Sequence, residues 1–441
     1  MAWALHGEGH DSFAASVIAM LTSHATTAVP GGSVEKDVIA PPGESRPGRK
    51  AIRGLADLAI RGAPPAFTDI VHVGRPNIGD RAAFMGRVDA MLDSRWLTNN
   101  GPLVQELEQK LARYLGVRHV VAMSNGTIAL EIAIRALGLK GEVILPSYTF
   151  IATAHALQWQ EITPVFADID PVTHNIDPAA VERMITPRTS GIIGVHLWGR
   201  AAPVDELAEI ARRRHLSLMF DSAHAFGSTY RGRRVGAFGR AEVFSFHATK
   251  FFNCFEGGAV TTNEDDLATT MRYMRNFGFE TYDKAVHVGT NGKMPEICAA
   301  MGLTNLDSLD AVVEVNRANL AAYEAALADI ECVSLLRYDP REQSNFQYVI
   351  VEVDPGFAAS RDEIVAALHA EGILARKYFW PGCHNMQPYR DLYPHAGLLL
   401  PNTKAVAERV IVLPTGTALP PHAIEVIASV FRVLGASRAR A

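Results

Sequence analysis

FSFHATKFFNCFEGGAVTT, residues Phe244–Thr262, sets one lysine, Lys250, between a hydrophobic run that reads as a strand and a glycine pair that opens the next one. The flanking runs VFSF and GAVTT belong to a series that also contains HVVAM, EVIL, TPVFAD, GIIGV and LSLMF, mostly separated by helix-like patterns. Strands alternating with helices predict an α/β fold with a mainly parallel sheet covered on both faces. In such a fold, chemistry gathers at the carboxyl ends of the strands. LSLMF (Leu216–Phe220) runs directly into DSAHAFG, so the Asp221 carboxylate should emerge at the end of a buried strand. A carboxylate and an amine so placed can hold the two ends of one aromatic cofactor.

Pyridoxal phosphate needs an amine for a Schiff base, a carboxylate on the pyridine nitrogen, donors for the phosphate and a flat partner for the ring. The chain offers each. In SNGTIALEIAIRALGL (Ser124–Leu139) a small polar turn follows HVVAM and opens a helix pattern, putting Gly126 and Thr127 at a helix N-terminus that favours an anion. Phe150, in LPSYTFIATAHAL, opens the next helix after EVIL and is the candidate ring partner. Taken singly, each has a structural reading: a solvated lysine, a capping turn, a core phenylalanine, a hydrogen-bonded aspartate. Their joint occurrence in one order, each at the edge of an element, points to the cofactor site.

Together with RWLTNNGP (Arg95–Pro102), TPVFADID (Thr163–Asp170), GTNGKMPEICAAMGL (Gly289–Leu303) and KYFWPGCHNMQPY (Lys377–Tyr389), these segments resemble the DegT/StrS-type sugar aminotransferases over about Asp69–Leu434. These are a branch of the fold-type I aspartate aminotransferase superfamily. The resemblance implies a large pyridoxal phosphate domain at 68–310 with a seven-stranded, mainly parallel sheet, and a smaller C-terminal α+β domain at 311–441. It makes Lys250 the Schiff-base lysine and proton shuttle, and Asp221 the partner that keeps the pyridine nitrogen protonated. It sets His224 near the cofactor's phenolic oxygen and gives Ser245, Gly126 and Thr127 to the phosphate. Asn291 resembles an asparagine that reaches the phosphate from the neighbouring subunit, which implies a homodimer with shared sites. Relatives usually read Asn-Tyr-Arg where this chain reads Asn291-Gly292-Lys293, and a lysine keeps the charge without the planar fork. Lys293, Tyr378 and His384 are candidates for the substrate pocket.

Within the family, SFHATKFFNCFEGGA looks most like enzymes that aminate C4 of a dTDP-4-keto-6-deoxyhexose, with L-glutamate as donor and pyridoxamine phosphate carrying the amine between half-reactions. The alternatives are a C3 aminotransferase or another pyridoxal phosphate reaction on a sugar. Dehydratase relatives carry histidine in place of the lysine. A non-catalytic homologue sits poorly with intact Lys250, Asp221 and Ser245, and a nicotinamide-dependent dehydrogenase with the absence of a G-x-G-x-x-G turn after a strand.

At 441 residues the chain exceeds one typical core, which agrees with two domains. A formal charge of −5 with scattered basic residues gives no basic face for nucleic acid. Four widely spaced cysteines form no CxxC pair, which argues against a disulfide framework or a metal site and fits a reducing cytoplasm. No apolar run reaches the ~18 residues that span a bilayer, and MAWALHGEGHD lacks a secretory pattern. Residues 1–67, with AVPGGSVEKDVIAPPGESRPGRK at their centre, read as a flexible extension.

Overall fold

The seven apolar runs all become strands of one sheet in the computed structural model, whose described residues are 50–436. After the short β1 (Val71–His72) come β2 (His119–Met123), β3 (Glu142–Pro146), β4 (Thr163–Ala167), β5 (Thr189–Val195) and β6 (Ser217–Asp221). A hairpin of β7 (Thr229–Tyr230) and β8 (Arg233–Arg234) leads to β9 (Ala241–Ser245) and β10 (Gly258–Thr262). The sheet order is β2-β10-β9-β6-β5-β3-β4. Only β10 runs antiparallel to its neighbours.

Alternate residues of each strand enter different cores, as a pleat requires. Val120 and Ala122 pack with Leu107, Leu111 and Leu207 on one face, whereas Val121 and Met123 pack with Ala129, Ala133 and Met271 on the other. The covering helices are locally specified. Helix Pro102–Leu115 has proline at its first turn, glycine with φ 70° just past its end, and Val104, Leu107, Leu111 and Leu115 buried along one stripe.

Beyond a hairpin of β11 (Phe279–Thr281) and β12 (Lys284–Ala285), helix Leu309–Leu327 leads to a second, antiparallel sheet. It joins β13 (Val333–Leu335), β14 (Val349–Val353) and, after β15 (Ile373–Leu374), β16 (Val410–Leu413). Helices Arg361–Ala370 and Ala423–Gly435 pack on it through Ile364, Leu368, Ile427 and Phe431.

The flexible extension expected at 1–67 does not hold over residues 50–67. Residues 1–49 lie outside the described residues, but 50–67 are built into the C-terminal core, where Ile52, Leu58 and Phe67 are buried. The buried Glu371 carboxylate accepts from Lys50 Nζ at 2.7 Å, Ala59 N at 2.7 Å and Ala66 N at 2.9 Å. Val71 and His72 then pair in parallel with Ile373 and Leu374, so the chain just past residue 67 also joins this second unit rather than the large sheet.

Candidate functional site

Asp221 ends β6, Ser245 ends β9, and Asn125 follows β2, so right-handed winding of the sheet brings all three to one carboxyl edge. They line a cavity of about 470 Å³, together with Gly126, Thr127, Phe150, His224, Lys250 and Tyr378.

One end of the cavity suits an anion. Asn125 caps helix Gly126–Ala136, its Oδ1 accepting from Ile128 N at 2.9 Å. The first N–H groups of a helix have no carbonyl one turn back, and they carry the positive end of its dipole. A Cβ on Gly126 would come within 2.9 Å of Ser245 Cβ, so the helix start can meet the Ser245 hydroxyl only with glycine there. Phe150 caps the start of helix Ile151–Gln158 and is 59% exposed, a flat apolar face on the cavity.

The other end carries the buried carboxylate. Asp221 accepts from Thr153 Oγ1 at 2.8 Å and from Ala223 N at 3.1 Å. Burial raises its pKa, while these two donors and the charges of Lys250 and His196 pull it back. Lys250 follows β9 in a turn closed by its N–H to the His247 carbonyl at 2.8 Å. Lys250 is half-buried on the cavity wall, and burial pushes its Nζ down to about 8 against the opposing pull of Asp221. His224 is held well below its usual range by burial and then by the Lys250 charge. Its Nδ1 faces Trp198 N at 3.4 Å, so the neutral ring carries its proton on Nε2.

An anion cradle, a flat face, an amine and a buried carboxylate around one cavity fit pyridoxal phosphate. The fit rests on the Gly126–Ser245 contact and on Asp221, a desolvated carboxylate whose two donors leave lone pairs unused.

Of the residues named from the sequence, three lie outside the chain's own cavity. His384 is not in the cavity: its peptide N–H and its Nδ1 both meet Ser147 Oγ, at 3.1 and 2.7 Å, and Gly382 with φ 86° turns the chain so that the ring is buried. Burial pushes its imidazole down to about 4. Asn291 is exposed and outside the chain's own cavity, although its neighbour Gly292 accepts from Ser124 N at 2.9 Å beside the anion turn. Lys293 is also outside, its Nζ 3.1 Å from Asn276 Oδ1 and over the Phe277 ring at 4.7 Å. Sequence reasoning missed Thr153, Tyr348, Arg75 and Arg376. The two arginines line the cavity without a carboxylate partner among the described residues, Arg376 lying 5.1 Å over the Tyr378 ring. Arg376 precedes KYFWPGC directly, which was the available signal.

The profile of the DegT/DnrJ/EryC1/StrS aminotransferase family matches residues 79–432. A dTDP-4-amino-4,6-dideoxy-D-glucose transaminase from Shigella dysenteriae is 37% identical over 82% of this chain and 98% of its own length. GDP-perosamine synthase from Caulobacter vibrioides is 37% identical over 78% and 92% respectively. Among solved structures, DesI in the presence of its TDP-sugar product is 50% identical, with a TM-score of 0.84 over 87% of this chain and 98% of that one.

Proposed function

The chain belongs to the DegT/DnrJ/EryC1/StrS aminotransferase family, and from that premise we propose that it moves an amino group from L-glutamate to C4 of dTDP-4-keto-6-deoxyglucose, using pyridoxal phosphate and giving a 4-amino-4,6-dideoxy sugar. The observation that carries this reading is the Lys250–Asp221 pair on one cavity in a chain half identical to an enzyme seen with a TDP-sugar product.

Bound pyridoxal phosphate supplies the electron sink that stabilises negative charge on the carbon bearing the amine. The chain's own residues do the rest. Asp221, buried and with Thr153 and Ala223 donating to it, would hold the ring nitrogen in its protonated form. Gly126, Thr127 and Ser245 would hold the phosphate, Phe150 would cover a ring face, and neutral His224 would offer Nε2–H to the phenolic oxygen. Lys250 Nζ, with its lowered pKa, is neutral often enough near pH 7 to take a proton from the substrate carbon and return one. Arg75 and Arg376, which line the same cavity, supply cations for substrate anions.

The enzyme works as a homodimer in this reading. Trp96, Leu97 and Ile297 are exposed apolar side chains, and the Leu97 carbonyl accepts from Glu296 N beside Ile297. Asn291, outside its own cavity, is free to serve the partner's. The free cysteines suit a reducing cytoplasm.

The test is to incubate the purified protein with L-glutamate and dTDP-4-keto-6-deoxyglucose and identify the product by mass spectrometry and NMR. An amine at C4 is expected. An amine at C3, or poorer turnover than with the 3-keto isomer, overturns the C4 assignment, since a bound substrate brings one carbon within reach and a misplacement of about 1 Å costs on the order of a hundredfold.

A further inference from the structure

We propose that Tyr348 is a positioning residue for Lys250, its phenol holding the amine at the cavity wall while the lysine moves protons. The inference rests on the transaminase reading above. Lys250 Nζ donates to Tyr348 Oη at 3.2 Å, and this is its one side-chain hydrogen bond among the described residues. The two residues come from different units: Lys250 follows β9 of the large sheet, and Tyr348 stands immediately before β14 of the small one.

Tyr348 is rigidly set. Its ring is buried, 4.4 Å from the His224 ring and 5.4 Å from the Trp198 ring, and its carbonyl accepts from Tyr338 Oη at 2.8 Å. A lysine side chain gives up much of its rotamer freedom when fixed. A preset acceptor confines the amine before the reacting carbon arrives, which is where orientation contributes to rate. The acceptor's neutrality matters as well. A carboxylate here would lock Nζ as an ammonium, whereas burial keeps the phenol protonated, and an amine that donates one N–H to it retains a lone pair for the substrate proton.

The titratable groups about the amine are the Asp221 carboxylate, neutral His224 and the Tyr348 phenol, the phenols of Tyr378 and Tyr338 act on Tyr348, and the His247 carbonyl closes the turn. Of these, Tyr348→Phe removes only the acceptor and keeps the packed ring.

The experiment has two readouts. Before cofactor is added, the pH dependence of Lys250 acetylation by acetic anhydride is followed by peptide mass spectrometry. Loss of the acceptor destabilises the ammonium more than the amine, so the midpoint in Tyr348→Phe should fall by about one unit. With cofactor, the single-turnover reaction with L-glutamate should slow by about tenfold while half-saturation by glutamate changes less than about twofold. Tyr338→Phe, which cuts the bond to the Tyr348 backbone but not to the amine, should leave the midpoint in place. An unchanged midpoint in Tyr348→Phe, or equal shifts in both variants, overturns the proposal. If the wild type fails to react with glutamate, the transaminase reading falls, while the acetylation midpoints still decide the Tyr348–Lys250 contact.

Discussion

Thr153 Oγ1 lies 2.8 Å from Oδ2 of Asp221, joining the helix after β3 to the end of β6. Burial alone would drive the carboxylate toward its neutral form, and this hydroxyl is the foremost group opposing it. A protonated Asp221 could not hold a positive charge on a ring nitrogen. Thr153→Val should therefore weaken pyridoxal phosphate binding by about tenfold, the worth of one hydrogen bond to a charged group. Asp221→Asn should bind it more weakly still and slow turnover by on the order of a hundredfold or more. Cofactor titration by absorbance and steady-state kinetics check both. Near-normal turnover of Asp221→Asn would remove the proposed role.

Reduction of the wild type with borohydride should leave the cofactor mass on the peptide containing Lys250, and Lys250→Ala should abolish both that mass and steady turnover. Without cofactor, Lys250 should acetylate with a midpoint near pH 8. The sign of a second change follows from the Asp221 charge, which favours the ammonium and so raises the lysine pKa. Asp221→Asn should move that midpoint down. An upward shift, or cofactor trapped on another lysine, contradicts the arrangement.

What could be read in advance was whatever a local rule specifies. Seven runs of strand character became seven strands of one sheet because each is short, apolar and bounded by turns. Lys250 and Asp221 could be singled out because strand ends are where this architecture collects its chemistry. Tyr348 could not. It lies 98 residues from Lys250 and reads as one more apolar position before VIVEVD, so only the meeting of two units reveals its phenol. Thr153 looks like an ordinary helix residue for the same reason. His384 shares a motif with Tyr378, yet in an irregular turn neighbouring side chains diverge, one lining the cavity and the other buried behind Ser147.

Residues 50–67 carry no clean periodicity, because the buried Ile52, Leu58 and Phe67 are spaced irregularly among alanine, glycine, proline and the exposed Leu55 and Ile60. Glu371, fully buried, relies on that segment for Lys50 and two backbone donors. Glu371→Ala should destabilise the protein by about 3 kcal/mol, since it strands the Lys50 ammonium and the N–H groups of Ala59 and Ala66. A chain beginning at residue 68 should unfold at a clearly lower temperature than one beginning at residue 50. Equal melting temperatures would show that the segment merely decorates the core.

Asn291 gives the sharpest test of a site shared between subunits. Its side chain is exposed, yet its segment runs beside the anion turn, with Ser124 N donating to the Gly292 carbonyl at 2.9 Å. If Asn291 serves the partner's phosphate, Asn291→Ala and Lys250→Ala homodimers should each be poor. In a mixed dimer the site built on the mutant lysine would also receive the mutant asparagine, so both defects would fall in one site. The other site would be intact. Refolding the two chains together should therefore restore activity toward about a quarter of wild type, because half of the dimers formed at random are mixed and each has one working site out of two. No recovery in dimers verified as mixed by native mass spectrometry would mean that Asn291 acts on its own chain.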